Sequence, residues 1–328
     1  MFLKNCKKTY LYIFIIPTII IFFNGIMLLF PKEILKSAEN GLLLWFNKVI
    51  PSLLPFMILT NILVLLEFPL VMGKLLQGVG RIFKLSGVSL FPLITGMISG
   101  YPIGVKNTVD LYKKGLLSKN EAHRLFTFVN NSGPLFILGT VGVGMLNSEK
   151  MGYLLMLTHY MSALIIMTVT GTFVENEPIK AKATLKKEFS LGKIMGEGVM
   201  TSLNTILLIG GYIILFSVIN AILIKTKIIA PLSSALINLG LSSRQAVGMS
   251  LGIFEITNGC SILSANINKV TFPLCAFLIS WGGFSIHAQA VSIIGETDLC
   301  VKPYILGKLF QGVISFIISV FLIKILKI

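Results

Sequence analysis

Seven stretches of this sequence are apolar enough and long enough to cross a membrane as helices. The hydrocarbon core of a bilayer is about 30 Å thick and requires roughly 20 helical residues. The stretches lie near residues 11–30, 42–66, 123–146, 151–174, 199–224, 271–294 and 303–326. Inside hydrocarbon every backbone polar group needs a partner, and a helix supplies one within the segment. The sequence therefore predicts an all-α, multi-pass protein of the cell membrane.

The composition and the charge distribution agree with this class. Hydrophobic residues make up 55% of the chain and charged residues 12%, with a mean hydropathy of +0.88. The net charge of +15 does not indicate a nucleic acid, because the basic residues lie in short loops between apolar stretches. We expect the lipid bilayer as the partner of this surface, and residues 1–40 as an uncleaved N-terminal transmembrane helix.

Two further apolar stretches, near 88–105 and 246–265, are interrupted. The first carries the helix-breaking residues Pro92, Gly96, Gly100, Pro102 and Gly104. Such residues leave backbone groups unpaired, which a membrane tolerates only where the backbone is buried in protein or lines a wet cavity. Both stretches are therefore predicted to be broken or re-entrant segments. Ser99 and Tyr101, at the break of the first, are candidate solute-binding residues.

The charges of the loops favour segments that turn back over segments that cross. With the N-terminus inside and both interrupted stretches re-entrant, 17 Lys and Arg residues lie inside and 9 outside. If both stretches crossed, 11 would lie inside and 15 outside, against the positive-inside tendency. The re-entrant arrangement leaves an odd number of full crossings in each half. The second half is therefore predicted to be inverted relative to the first.

A weak internal repeat also indicates two halves. With an offset of about 157 residues, Gly41 aligns with Gly198, and the two interrupted stretches fall beside each other. We predict two repeats, 41–174 and 196–328, joined by a basic cytoplasmic linker at 175–195. Matching interrupted segments in two halves are typical of transporters whose solute site lies at the membrane midplane.

A polar cluster of Asn130, Asn131 and Ser132 precedes Pro134 inside an otherwise apolar stretch. Amides and a hydroxyl at this depth cost free energy unless they are paired, and the proline removes a backbone donor. One interpretation is a helix break whose side chains contact a polar solute. The alternative is hydrogen bonding between helices, which is common in membrane bundles.

Glu255 is an acid inside the second interrupted stretch, where a charge costs about 2.5–3.5 kcal/mol on insertion scales. It is a candidate for binding a cation, relaying a proton or accepting hydrogen bonds from a solute, with Asn258 nearby. Lys106 closely follows the interruption at Gly100 and Pro102, and we expect it to neutralise Glu255 or an anionic group of the solute. The alternatives are a purely structural pair and a lysine that only anchors its loop.

Three polar residues follow Gly282 and Gly283. They are Ser285, His287 and Gln289, and irregular backbone after the two glycines would let them converge on a solute. The alternative for the histidine is a hydrogen bond between helices. His159 resembles a core histidine whose hydrogen bonds are satisfied.

The sequence contains none of the GxSxG, P-loop and HExxH motifs, and no cluster has metal-ligand spacing. No nucleophile lies beside a base. We therefore expect no enzymatic activity, no metal and no cofactor.

Two segments, SGYPIGVK at 99–106 and NNSGPLFILG at 130–139, resemble the YlbJ family of sporulation integral membrane proteins. The resemblance covers nearly the whole chain and extends to the broader group with nucleoside-recognition (Gate) domains. It implies a membrane protein of endospore-forming bacteria that is needed for spore cortex formation. The Gate group includes parts of nucleoside and iron transporters, but the Glu-Ala-Pro type motif of the nucleoside transporters is replaced here by Asn-Ser-Gly-Pro.

These observations predict a transporter-like protein that binds or passes a small polar solute. The alternative is a non-transporting membrane scaffold for spore-cortex assembly proteins. A transporter requires the polar motifs of the two halves to converge on one cavity at mid-membrane. A scaffold predicts polar groups that pair across helices without a void.

Overall fold

The chain is described by a computed structural model over residues 11–172 and 190–326, which form helices and no β-strand. The α-helices of the first half are α1 (Ile16–Leu29), α2 (Pro31–Leu44), α3 (Ile50–Leu65), α4 (Phe68–Leu75), α5 (Gln77–Ile82), α6 (Leu90–Ser99), α7 (Ile103–Lys113), α8 (Lys119–Phe126) and α9 (Glu149–Gly171). Those of the second half are α10 (Leu191–Lys225), α11 (Ala230–Asn238), α12 (Ser243–Phe254), α13 (Ile256–Ser264), α14 (Thr271–Trp281), α15 (Gly283–Ile294) and α16 (Lys302–Leu326). Short π-helices lie at Leu11–Ile15, Trp45–Val49 and Leu135–Val143, and a 3₁₀ turn at Gly87–Ser89.

Four helical segments of the described chain are long and apolar enough to cross a membrane: α9, α10, α14 together with α15, and α16. Two bent pairs, Ile13–Leu29 with Pro31–Asn47 and Leu53–Leu65 with Phe68–Leu75, raise the number to six. The protein is therefore an all-α, multi-pass membrane protein, as predicted.

The number of continuous spans is smaller than the seven predicted, because several predicted stretches are built from shorter helices. A bend of 105° separates α1 from α2, where Pro31 begins the second helix. The predicted stretch 123–146 contains α8, an irregular segment at 127–134 and the π-helix Leu135–Val143. Large apolar side chains on the outer faces are exposed, as lipid contact requires; examples are Leu28, Phe310 and Phe321.

A long antiparallel helix pair consists of α2, Trp45–Val49 and α3 on one side and α10 on the other. The Lys225 ammonium lies 2.5 Å from the Glu33 carboxylate at one end of it. Trp45 Nε1 donates to the Ile206 carbonyl at 3.0 Å in the middle, and near the other end Asn61 donates to Ser202 at 2.8 Å. The term helix pair is used below for these elements.

Hydrogen bonds group the loops into two ends of the molecule. At the basic end, the Arg124 guanidinium donates to the carbonyls of Phe83 and Lys84, and the Lys119 ammonium lies 2.5 Å from the Asp298 carboxylate. The Lys119 ammonium, and after it the Tyr112 hydroxyl, holds the pKa of Asp298 below its usual range.

The opposite end contains the ion pair of Glu33 with Lys225 and an apolar cluster that includes Leu146, Leu241 and Ile267. The loops near residues 84, 119–124 and 298 therefore lie together at the basic end, and the charge count places all three inside the cell. The side of the membrane that this end faces stays a prediction.

An antiparallel helical hairpin, the geometry that a re-entrant segment requires, lies at each interrupted stretch. The first spans 90–113, so its second helix extends beyond the predicted end at 105, and the second spans 243–264. In the first hairpin, α6 and α7 pack so closely that a Cβ on Gly96 would lie 3.0 Å from the Cα of Gly104. In the second, α12 and α13 bring Gly252 against Gly259, where a Cβ on Gly259 would lie 2.3 Å from the Cα of Gly252. Close backbone approach, rather than flexibility, explains these glycines.

The same order of elements occurs twice: a long helix, a hairpin, an interrupted helix and a final long helix. The first hairpin has its open ends at the basic end, near Lys113 and its ion pair with Glu296. The second has its open ends at the opposite end, near Leu241 and Ile267. This opposite entry is what inverted halves predict. The proposed domain boundaries at 41 and 196 stay predictions, and most of the linker at 175–195 lies outside the described residues.

Candidate functional site

The turn of each hairpin lies next to a break in another helical segment. The first break is the irregular segment at 127–134, and the second lies at Gly282 and Gly283. Gly100 closes α6 with a φ of 92°, and a Cβ there would lie 2.8 Å from the nitrogen of Gly133 in the first break. Gly282 and Gly283 form the second break with φ values of 88° and 76°. Only glycine adopts these left-handed conformations without strain, so the glycines fix where each helix is interrupted.

One cavity lies where the two hairpin turns meet the two breaks. It contains about 800 Å³ of atom-free space, counting the part that is open to its surroundings. Six residues predicted from the sequence line it: Ser99, Tyr101, Ser132, Glu255, Ser285 and Gln289. The polar groups of the two halves therefore converge on one cavity.

The opposite wall of the cavity comes from the helix pair. It contains aliphatic side chains, namely Leu44, Val49, Leu53, Ile209 and Ile213. The hairpin turns and breaks carry the polar side chains of the cavity and form its polar wall, which also includes Ile98, Phe136 and Ile256. The helix pair forms a hydrocarbon wall. Sequence patterns did not predict this second wall, because apolar residues on a helix in a membrane give no sign of what they face.

Several polar atoms on the polar wall have no hydrogen-bond partner among the described residues. They are both the oxygen and the nitrogen of the Gln289 side chain, and the hydroxyls of Tyr101 and Ser132, which lie close enough to interact with each other. Gln289 is completely buried. A buried amide without partners costs about 1–3 kcal/mol, so such groups in a native protein indicate a partner that is water or ligand.

Glu255 is the only acidic residue among the described residues that line the cavity. Its backbone is extended between α12 and α13, and its carboxylate accepts the backbone N–H groups of Thr257 at 3.1 Å and Asn258 at 2.9 Å. The carboxylate therefore caps the N-terminus of α13, whose dipole favours negative charge. The side chain of Asn258 is exposed, does not line the cavity and contributes only its backbone N–H.

Lys106 has a different partner from the predicted one. Its ammonium lies 2.6 Å from the Asp110 carboxylate and donates to the Asn61 side-chain oxygen at 3.0 Å. The prediction that it neutralises Glu255 is therefore wrong. Asp110 is one turn further along α7, and helical spacing places the two side chains on one face. Lys106 joins the first hairpin to the helix pair and does not line the cavity.

Asn130 and Asn131 are fully buried and bond to α16 rather than facing the cavity. The Asn130 side chain donates to the Tyr304 hydroxyl at 3.1 Å, and the backbone carbonyl of Asn130 accepts from the Lys308 ammonium at 2.9 Å. Gln311 donates to the Asn131 side-chain oxygen at 2.9 Å and accepts from Lys308 at 2.7 Å. For these two residues the geometry favours the alternative stated above, hydrogen bonding between helices.

The two breaks are connected through one histidine. His159 Nε2 accepts the backbone N–H of Ser132 at 2.9 Å, so Nδ1 carries the proton in the neutral ring. That nitrogen lies 2.8 Å from the Ser280 hydroxyl, two residues before Gly282. His159 is fully buried with both ring nitrogens bonded, as the sequence predicted.

His287 lies beside the cavity but does not line it. Its Nδ1 lies 3.1 Å from the Tyr304 hydroxyl, and its ring contacts that of Trp281 at 4.1 Å between centroids. Its Nε2 has no partner among the described residues. Of the three residues predicted after the second break, Ser285 and Gln289 therefore reach the cavity and His287 does not.

Sequence reasoning missed the polar face of α16. Tyr304, Lys308 and Gln311 are all completely buried, and Lys308 is a lysine in the interior of an apolar helix. Their spacing of four and three residues places them on one side of a helix. That periodicity was visible in the sequence and would have indicated a face that packs against the breaks.

The fold and the cavity define a class: a polytopic helical membrane protein with two helical hairpins and an internal cavity that carries polar groups. The chain is 33% identical over 338 aligned residues to the sporulation integral membrane protein YlbJ of Bacillus subtilis strain 168, covering 94% of this chain and 82% of that protein. This chain therefore belongs to the YlbJ family of sporulation integral membrane proteins.

Two other comparisons give no match. No family model matches the chain, so the resemblance to the Gate group stays a prediction. No solved structure matches it either.

Proposed function

We propose that the chain is a transporter-like sporulation membrane protein that binds or passes a small polar solute in the cavity between two inverted halves. By family resemblance, this activity serves spore cortex formation. The observation that carries the proposal is the set of buried polar groups without partners on one wall of the cavity, Gln289 above all.

The alternative function, a scaffold for cortex-assembly proteins, agrees less well with this geometry. A scaffold needs polar groups only to hold its helices together, and the bonds of Asn131 with Gln311 and of His159 with Ser132 do that. It gives no reason to maintain an open cavity with an unbonded amide, because each such group lowers stability.

The test compares Gln289→Leu with Asn258→Ala in sporulating cells. Gln289 lines the cavity and bonds to no described residue, whereas the exposed Asn258 side chain is a matched polar control outside the cavity. We expect normal membrane abundance for both variants and loss of the spore cortex only for Gln289→Leu. The measurements are immunoblots of membranes and electron microscopy of the spores.

A normal cortex with Gln289→Leu at normal abundance would overturn the proposal that the cavity is the functional site. Loss of both variants from the membrane would mean that these side chains hold the fold together, in favour of the scaffold. Uptake of solutes by the purified protein in liposomes then measures transport directly.

A further inference from the structure

We propose that the cavity takes a solute that carries a primary ammonium group together with a hydroxyl or carbonyl acceptor. The inference rests on the proposed function and names the chemical class of its solute. It follows from the charges and the unbonded polar atoms on the polar wall of the cavity.

The first observation is a charge without a counter-charge. Glu255 is 4% exposed, and no Lys, Arg or His occurs among the described residues that line the cavity. The buried lysine of this region, Lys308, is bonded to the Asn130 carbonyl and to Gln311. Lys106 is paired with Asp110. An anionic solute would therefore meet an acid and no basic partner, which disfavours its binding as long as Glu255 is ionised.

The carboxylate of Glu255 retains capacity to accept hydrogen bonds. Two ionised oxygens offer about four acceptor positions; the backbone N–H groups of Thr257 and Asn258 occupy two, and the Thr257 hydroxyl interacts with the carboxylate as well. Backbone donors compensate part of the charge, and a buried charge remains costly without a cation. A proton is the other way to neutralise the group, and the experiment below separates the two.

The second observation specifies the kind of cation. The Gln289 side chain needs one donor for its oxygen and one acceptor for its nitrogen, and it has neither among the described residues. A primary ammonium offers three N–H donors for the carboxylate, the amide oxygen and a hydroxyl such as that of Tyr101. A quaternary ammonium offers none and would leave the amide oxygen unbonded. The amide nitrogen requires an acceptor elsewhere on the solute.

Four compounds with a hydroxyl group on a two-carbon chain test this chemistry because they differ only at the other end of that chain. They are ethanolamine, choline, ethylene glycol and glycolate. The purified full-length protein is reconstituted into liposomes for uptake of each labelled compound, and its thermal unfolding in detergent is measured with each compound present. We expect uptake of ethanolamine and a rise in its unfolding temperature, with at least about tenfold weaker effects of choline and glycolate.

Glu255→Gln and the matched control Glu149→Gln complete the experiment. Glu149 is an exposed acid at the start of α9, so its variant should behave as the unmodified protein. Glu255→Gln retains the shape of the side chain and removes its charge, and it should lose the preference for ethanolamine over ethylene glycol.

The outcomes separate the two proposals. Uptake of ethylene glycol or glycolate in preference to ethanolamine would overturn the ammonium inference and leave the proposed function standing. Equal uptake of ethanolamine by Glu255→Gln would show that a proton, not the solute, neutralises this acid. Absence of uptake and of binding for all four compounds would count against the proposed function as well.

Discussion

Two buried glutamines, Gln289 and Gln311, have the same exposure and opposite hydrogen bonding. Gln311 bonds to the Asn131 side chain and to Lys308, whereas neither polar atom of Gln289 has a partner among the described residues. The cost of removing a buried polar group depends on the partners it leaves behind. The two residues therefore contribute differently to stability although both are fully buried.

We expect Gln311→Leu to lower the free energy of unfolding by about 1–3 kcal/mol, because it leaves the Asn131 oxygen and one Lys308 donor unpaired. Gln289→Leu should leave stability unchanged or raise it, since no bond is lost. Thermal unfolding of the purified proteins in detergent measures both. Equal losses in the two variants would contradict the hydrogen bonding described here.

Lys308 illustrates what single-sequence reasoning does not reach. Its partners are the carbonyl of Asn130, 178 residues away, and Gln311. The sequence identified Asn130 and Asn131 as polar groups that need partners, but not that α16 supplies them. Partners distant in the chain depend on packing, and packing fixes the rotation of each helix about its axis.

At the scale of elements, the glycines and prolines predicted where both hairpin turns and both breaks lie, but not that the second helix of the first hairpin extends to Lys113. Their conformational limits act locally, so one sequence is enough to place them. The identity of the cavity-lining side chains was predicted in part. Ser99, Tyr101 and Glu255 lie at or next to the hairpin turns, and both turns border the cavity. Asn258 and His287 lie inside helices, where the facing direction depends on neighbours that the sequence does not specify.

Adjacent glycines on α10 test the packing of the helix pair. A Cβ on Gly210 would lie 2.4 Å from Cε2 of Trp45, whereas a Cβ on Gly211 would meet nothing within 4 Å. We expect Gly210→Ala to displace the indole from its bond to the Ile206 carbonyl and to cost about 1–3 kcal/mol. Gly211→Ala is the matched control and should be neutral or stabilising.

Membrane abundance and thermal unfolding of the two alanine variants measure this difference. Similar behaviour of Gly210→Ala and Gly211→Ala would mean that Trp45 does not pack against α10 as described.

For the molecule as a whole, the two ends must face opposite sides of the membrane. We expect single cysteines at positions 84 and 296 to react with a membrane-impermeant thiol reagent only from the cytoplasm, and cysteines at 147 and 269 only from outside. The background carries Cys300→Ser, since Cys300 is exposed, together with Cys6→Ser. Labelling of 84 and 296 from opposite sides would contradict both the fold and the charge distribution of the loops.

The hydrocarbon wall of the cavity has a mechanical consequence. Among the described residues, three side-chain hydrogen bonds link the helix pair to the remainder of the molecule: Lys106 to Asn61, Lys114 to the Val64 carbonyl, and Tyr212 with Ser292. The first two lie toward the basic end. Tyr212 lies between the cavity-lining residues Ile209 and Ile213, so movement beside the cavity requires its bond to open. Beside the cavity the contact is aliphatic, and such contact has no preferred register because dispersion and hydrophobic burial are non-directional. We therefore expect the helix pair to rotate as a rigid body about its bonds to Lys106 and Lys114, toward the basic end. This rotation would open the cavity toward the end of the molecule opposite the basic end.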